Sequence, residues 1–235
     1  MPAQLNATEF LKKLKALSPA KVLSSNQFEA ENKDIVLGIG MGQVFALAKE
    51  FMNMELDELE VMLQSPVYEV RVGAVSIMDY QARSKKTTET RRKELYELYI
   101  RCHDRINTWT MVDRSALWVV GHYLFDKPRK ALYKLAKSKM MAERRTAIVS
   151  TLYFIRKGDL DDAFKLAEIV LYDKEDLVNK ATGWALRFAG DKDRKRLTKF
   201  LDKYAATMPR VTLRYAIEKF DKKEREYYLK LKDQE

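Results

Sequence analysis

A curved, all-α solenoid of two-helix repeats is the fold class that three features of this sequence predict. The chain is poor in helix breakers, with 8 Gly and 5 Pro among 235 residues, and rich in Lys, Glu, Leu, Ala, Arg and Met, which favour helix. Helix-start signals follow one another with no strand pattern between them. A short pattern also recurs, a polar residue, any residue, a small residue, then a small or aliphatic one. It reads Arg71-Val-Gly-Ala, Asp113-Arg-Ser-Ala, Arg145-Thr-Ala-Ile, Lys180-Ala-Thr-Gly and Arg210-Val-Thr-Leu. Successive starts lie 42, 32, 35 and 30 residues apart, the period of helix-pair repeats of the HEAT kind. Small residues at a fixed point suit close packing of neighbouring helices. The expected organisation is one repeat-built domain over residues 1–235, with N-terminal helices within 1–34.

The elements follow in order. Residues 7–17 place Leu11, Leu14 and Leu17 in one stripe, and Ser18-Pro19 ends that helix. The run Gly38-Ile-Gly-Met-Gly precedes a helix at 43–52. A glycine turn opening a helix can offer N–H groups to a phosphate, but no dinucleotide fingerprint or P-loop is present, so a plain interhelical turn is the better reading. Asp57 opens 57–63, Ser65-Pro66 opens 66–82, and Thr87 or Thr88 caps 89–104. The stretch 106–118 forms the next helix, in which Trp118 is expected in the core. Then come 128–137 after Asp126, 140–156 after Ser138, 160–171 after Asp159 and 174–189 after Asp173. Asp191 begins 192–205, Pro209 opens 209–219, and 222–232 closes the chain.

Composition narrows the function. Lys and Arg total 44 against 34 Asp and Glu, a net charge of +10 on a folded, mixed-charge chain. That balance suggests a polyanion partner, nucleic acid ahead of a membrane surface. Cys102 is the only cysteine, which excludes an intramolecular disulfide and a thiolate zinc site and favours a reducing compartment. His103 and His122 are the only histidines and have no carboxylate cluster at metal-ligand spacing, which disfavours His-based triads and metal chemistry. Neither a signal peptide nor an apolar run of membrane-spanning length is visible. A cytoplasmic, soluble protein is expected.

In a curved stack, the first pattern position forms a row: Arg71, Asp113, Arg145, Lys180 and Arg210. Cations at helix-pair spacing can follow a nucleic-acid backbone, each neutralising a phosphate, although on charge alone a solvated face explains them as well. Aromatic residues shift the balance. Trp109 precedes Asp113 by one turn and Trp184 follows Lys180 by one turn, so two indoles are available to pack a sugar or a cationic base. Asp113 is the one acid in the row. For plain DNA binding it is a liability, since it repels phosphates. It makes sense where positive charge develops, as in cleavage of an N-glycosidic bond through an oxocarbenium-like sugar.

At these residues the chain resembles the AlkD-type DNA glycosylases, the DNA alkylation repair family built on HEAT-like repeats. The resemblance runs from about residue 35 to 220. It rests on Trp-Thr-Met-Val-Asp at 109–113, Glu-Arg-Arg-Thr-Ala-Ile at 143–148 and Lys-Ala-Thr-Gly-Trp-Ala-Leu-Arg at 180–187. It implies that Asp113 is the catalytic carboxylate, that Trp109 and Trp184 flank the lesion's sugar, and that Arg145 contacts a phosphate, with Arg187 a basic position near the same groove. It also implies action on cationic N3- or N7-alkylpurines still stacked in duplex DNA, unlike the base flipping general to glycosylases. The sequence departs from the family at Thr110 and Met111, where a second Trp and an Asp are common, and at Gly40-Met41, where a polar residue and Pro are common. The expectation is a monomeric glycosylase with no cofactor or metal, its partner duplex DNA containing alkylated purines and no membrane. Lys180, Arg187, Arg145, Arg71, Arg210 and Arg114 are its expected DNA-binding residues. The alternative is a non-catalytic HEAT-repeat module that binds damaged or branched DNA or a protein partner.

Overall fold

Helix propensity and capping decide most of the chain. The computed structural model, which describes residues 5–17 and 34–231, is helical nearly throughout. Among those residues there is no strand, and the one extended pairing is an isolated parallel bridge between Ile35 and Val67. The fold is all-α, as the sequence predicts. The chain divides into two compact units, Met1–Tyr123 and Leu124–Glu235. No helix among the described residues is long and apolar enough to cross a membrane.

The first unit holds α1 (Ala7–Lys15), α2 (Met41–Glu50), α3 (Leu56–Leu63), α4 (Tyr68–Arg83), α5 (Glu89–Arg101) and α6 (Trp109–Ala116). A short 3-10 turn at His103–Arg105 leads into α6, which continues as a π-helical segment, Leu117–His122. Asn6 caps α1 by accepting the Glu9 N–H at 2.8 Å, and Thr88 caps α5 by accepting that of Arg91 at 3.1 Å. The expected stop of α1 at Ser18-Pro19 lies outside the described residues. α4 is the centre of this unit, packing against α2, α3, α5 and α6. Its Val72, Ala74, Val75, Ile77 and Met78 have no exposed surface. Gly73 admits the ring of Phe10 from α1, since a Cβ there would lie 2.3 Å from it.

α4 starts two residues later than Ser65-Pro66 predicts. The Ile35 N–H donates to the Pro66 carbonyl at 2.9 Å, and the Tyr68 N–H donates to the Ile35 carbonyl at 2.9 Å. Those bonds hold Pro66 and Val67 extended, so the first helical residue is Tyr68. Two buried side chains of the first turn complete the clamp. Glu69 accepts the backbone N–H groups of Leu37, Gly38 and Ile39 at 3.0, 2.8 and 3.3 Å. Arg71 donates through Nη1 to Asp34 at 2.8 Å and to the Ser65 carbonyl at 3.1 Å, and through Nη2 to the other Asp34 oxygen. Gly38 takes φ 76°, the left-handed region that favours glycine. Glu69 thereby pins the segment leading into α2 against α4, and the glycine turn is an interhelical connection.

The second unit holds α7 (Lys130–Leu135), α8 (Met141–Arg156), α9 (Asp161–Ile169), α10 (Asp176–Lys192), α11 (Arg194–Tyr204), α12 (Arg210–Ala216) and α13 (Lys222–Lys230). The pattern helices α8, α10 and α12 are successive neighbours, with α9 packed on α8 and α10, and α11 packed on α10. Their small residues sit at the contacts. Thr146, Ala147, Thr182 and Thr212 have no exposed surface, and Thr212 donates to the Asn179 carbonyl at 3.2 Å. A Cβ on Gly183 would lie 2.5 Å from the Thr212 carbonyl oxygen. Asp193, not Asp191, caps α11, accepting the Arg196 N–H at 2.9 Å. Asp191 ends up inside α10, where it pairs with Lys219 at 2.6 Å.

Candidate active site

α6 is set at its N-terminus by Thr108, whose hydroxyl accepts the Met111 N–H at 3.5 Å. The phenol of Tyr68, on α4, lies against Thr108 and Thr110, and burial pushes its pKa up. Trp109 is the first helical residue, and Asp113 follows one turn later on the same face. Both line an open cleft of about 370 Å³ within the first unit, together with Thr110 and Arg114 of α6, Met41 and Phe45 of α2, and Arg83 at the end of α4. Trp109 is 36% exposed, an unusual position for a large indole that has only packing to do.

Behind the cleft lies a group that the sequence reading missed. Asp79 of α4 has no solvent exposure, and two arginines converge on it. Arg83 Nε lies 3.0 Å from Oδ1 and 2.9 Å from Oδ2, while Arg114 Nη1 lies 3.5 Å from Oδ2. Burial pushes the Asp79 carboxyl up to about 6, against the pull of both cations. Arg114 is fixed on its other sides. Its Nε donates to Ser76 Oγ at 3.1 Å, and its guanidinium lies 4.6 Å from the Phe45 ring centre and 4.7 Å from that of Tyr80. Its Nη2 is buried with no acceptor in the protein. The visible signal for Asp79 is its i,i+4 spacing to Arg83. The role of Arg114 arises only when α6 packs on α4.

Trp118 differs from its expected core position. It is half-buried, with the Arg83 guanidinium 5.4 Å above its ring and His122 edge-on at 5.6 Å. The π-helical segment changes the angular step after Ala116, and π-turns recur at functional sites.

The second unit carries the remaining expected residues. Lys180, Trp184 and Arg187 share one face of α10 by their spacing. Lys180 lies 3.6 Å from Asp176, and the half-buried Trp184 meets Phe188 edge-on at 5.8 Å. Arg187 pairs with Glu218 and lies 5.3 Å from the Phe188 ring centre. Arg145 is 5% exposed and donates from Nη1 to the Leu177 carbonyl. Arg210 is half-buried and donates from Nη2 to the Leu229 carbonyl at 2.5 Å. Arg71 is a correction to the expected row. Its guanidinium is spent on Asp34 and Ser65 with no surface left for a phosphate, because the partner acid comes from a segment far upstream.

Among the described residues, no three His, Cys, Asp or Glu side chains gather as a metal site would require. The fold and the cleft thus define an all-helical, repeat-patterned protein with a carboxylate and an exposed indole side by side, backed by two arginines. The profile of the family described as DNA alkylation repair enzyme matches residues 10–220, and the chain belongs to that family. Among solved structures, it is similar to one described as "Predicted DNA alkylation repair enzyme from Enterococcus faecalis", at 15% identity and a TM-score of 0.62, over 81% of this chain and 90% of that one. At that identity the likeness concerns the fold. No curated protein sequence matches.

Proposed function

We propose that this protein is a monofunctional DNA glycosylase that releases cationic N3- and N7-alkylated purines, such as 3-methyladenine and 7-methylguanine, from duplex DNA. The observation that carries the reading is the cleft where Asp113 and the exposed indole of Trp109 lie one turn apart. Membership of a DNA alkylation repair family and the net charge of +10 support it.

An alkylated purine carries a positive charge and leaves without a general acid. The C1′–N bond breaks with both electrons passing to the base, which departs neutral, and the sugar becomes an oxocarbenium. Asp113 stabilises that cation and orients the water that adds at C1′ and then loses a proton, leaving an abasic site. Trp109 packs the sugar, which suits a backbone-directed mechanism acting on a base that stays stacked. On the second unit, the α10 face of Lys180, Trp184 and Arg187 offers two cations and an indole to a DNA backbone. No cofactor enters the reaction, and the protein acts as a monomer.

The test is release of 7-methylguanine from methylated duplex DNA by the purified protein. Release above the spontaneous rate is expected. Tight binding to an abasic-site analogue without any release would instead favour a damage-binding module.

A further inference from the structure

The second unit carries a groove on helices that hold none of the repeat-pattern positions. α9 and α11 run side by side, and a groove of about 580 Å³ opens between them, with no residue of α8, α10 or α12 in its lining. Its floor is aromatic. Phe164 and Phe200, each 6% exposed, lie 5.7 Å apart, and Tyr204 meets Phe200 at 4.8 Å. Ion pairs bridge the two helices towards each end, Arg196 with Asp161 at 2.8 Å and Lys203 with Glu168 at 3.4 Å. Glu168 also accepts the Tyr204 hydroxyl at 2.8 Å. The rest of the rim is cationic. Lys165 of α9 is exposed, as are Lys195 and Lys199, which stand one turn apart on α11 and make no ion pair among the described residues.

We propose that this groove docks a short acidic peptide segment of a partner protein, one with a large apolar side chain set between carboxylates. The apolar side chain takes the floor of Phe164 and Phe200, and its acidic neighbours meet Lys165, Lys195 and Lys199. Charge complementarity of this kind selects the partner and speeds its docking. Length agrees, since from Asp161 to Glu168 the groove runs about 10 Å, the reach of three extended residues. A nucleic-acid strand fits worse. Single strands bind through open ring faces on which bases stack. Here the Arg196 guanidinium lies 4.7 Å from the Phe164 ring centre and Lys203 4.6 Å from that of Tyr204, so cations already take those faces. A strand continuing past either end would also meet the exposed carboxylates of Asp161 and Glu168. The lining shares no residue with the α10 face of Lys180, Trp184 and Arg187, so the docking site does not depend on the glycosylase reading.

The experiment titrates the isotope-labelled whole chain with the blocked peptide acetyl-Asp-Glu-Phe-Glu-Asp-amide and follows the backbone amide shifts by NMR. Saturable shifts confined to α9 and α11 are expected. Replacing the peptide's Phe by Ser should weaken binding by about tenfold or more. The charge reversal Lys195→Glu/Lys199→Glu should weaken it by about as much, with a melting curve to verify that the variant is folded. Absence of saturable shifts, shifts centred outside α9 and α11, or undiminished binding by the double variant overturns the proposal. So does equal binding of the Ser peptide, which reduces the groove to a charged surface. A pentathymidylate strand that gives the same shifts at lower concentration makes it a nucleic-acid groove and overturns the proposal too. A base-release assay keeps the two readings apart. The double variant should release 7-methylguanine at the wild-type rate, and a loss of release assigns the lysines to DNA and overturns the docking site. An inactive wild type that binds the peptide as expected ends only the glycosylase reading.

Discussion

Oδ2 of Asp79 lies 3.5 Å from Nη1 of Arg114, a carboxylate with no exposed surface beneath a guanidinium at the cleft. The contact ties α4 to α6, and so fixes the helix that carries Trp109 and Asp113.

Burying that carboxylate makes stability depend on pH in an uncommon direction. Its folded pKa, about 6, lies above the ordinary 3.8, so between those values the folded state binds the extra proton. The Asp79 contribution is fully present below pH 3.8, falls as pH rises towards 6, and is flat above. Over that window the loss is roughly 3 kcal/mol. In urea denaturation at pH 4, 5, 6 and 7, the stability of Asp79→Asn relative to wild type should rise with pH and then level off. A pH-independent difference contradicts this.

Two glycines should respond oppositely to a methyl group. A Cβ on Gly183 meets the Thr212 carbonyl oxygen and Tyr215 Cβ, both at 2.5 Å, whereas one on Gly42 meets nothing within 4 Å. Gly183→Ala should lose about 1–3 kcal/mol by forcing α10 from α12, while Gly42→Ala should gain up to about 1 kcal/mol. Thermal melting of both variants measures the contrast.

The buried Arg71–Asp34 pair should act as structure. Arg71→Met leaves the Asp34 carboxylate, only 7% exposed, without its cation, a loss of about 3–5 kcal/mol. The double variant Asp34→Asn/Arg71→Met should recover most of it in chemical denaturation. The salt dependence of DNA binding by the double variant should equal that of wild type, since Arg71 presents nothing to a phosphate.

Local signals were legible and long-range partners were not. Thr88 was visible as a cap because a cap is a matter of three residues. The small positions of the repeat were legible because Gly73, Thr182 and Gly183 report how closely a neighbour must approach. Ser65-Pro66 misled because Ile35, thirty residues upstream, takes the backbone groups that would have opened the helix. Arg71 shared the pattern of the cationic row, yet Asp34 claims it through a contact the pattern does not encode. At the cleft, the four-residue spacing of Trp109 and Asp113 put them on one face before any packing was known. Asp79 reads as one half of an ordinary i,i+4 pair with Arg83 until α6 brings Arg114 onto it.

In the proposed reaction Asp113 stabilises an oxocarbenium-like sugar. The most direct measurement is the single-turnover release of 7-methylguanine from methylated duplex DNA by wild type and by Asp113→Asn, at enzyme concentrations that saturate the substrate. Removing the charge while keeping the shape should slow release by roughly 10²–10³-fold and leave binding to the abasic-site analogue equal or tighter, because a carboxylate that repels phosphates has gone. Undiminished release by Asp113→Asn would contradict the account.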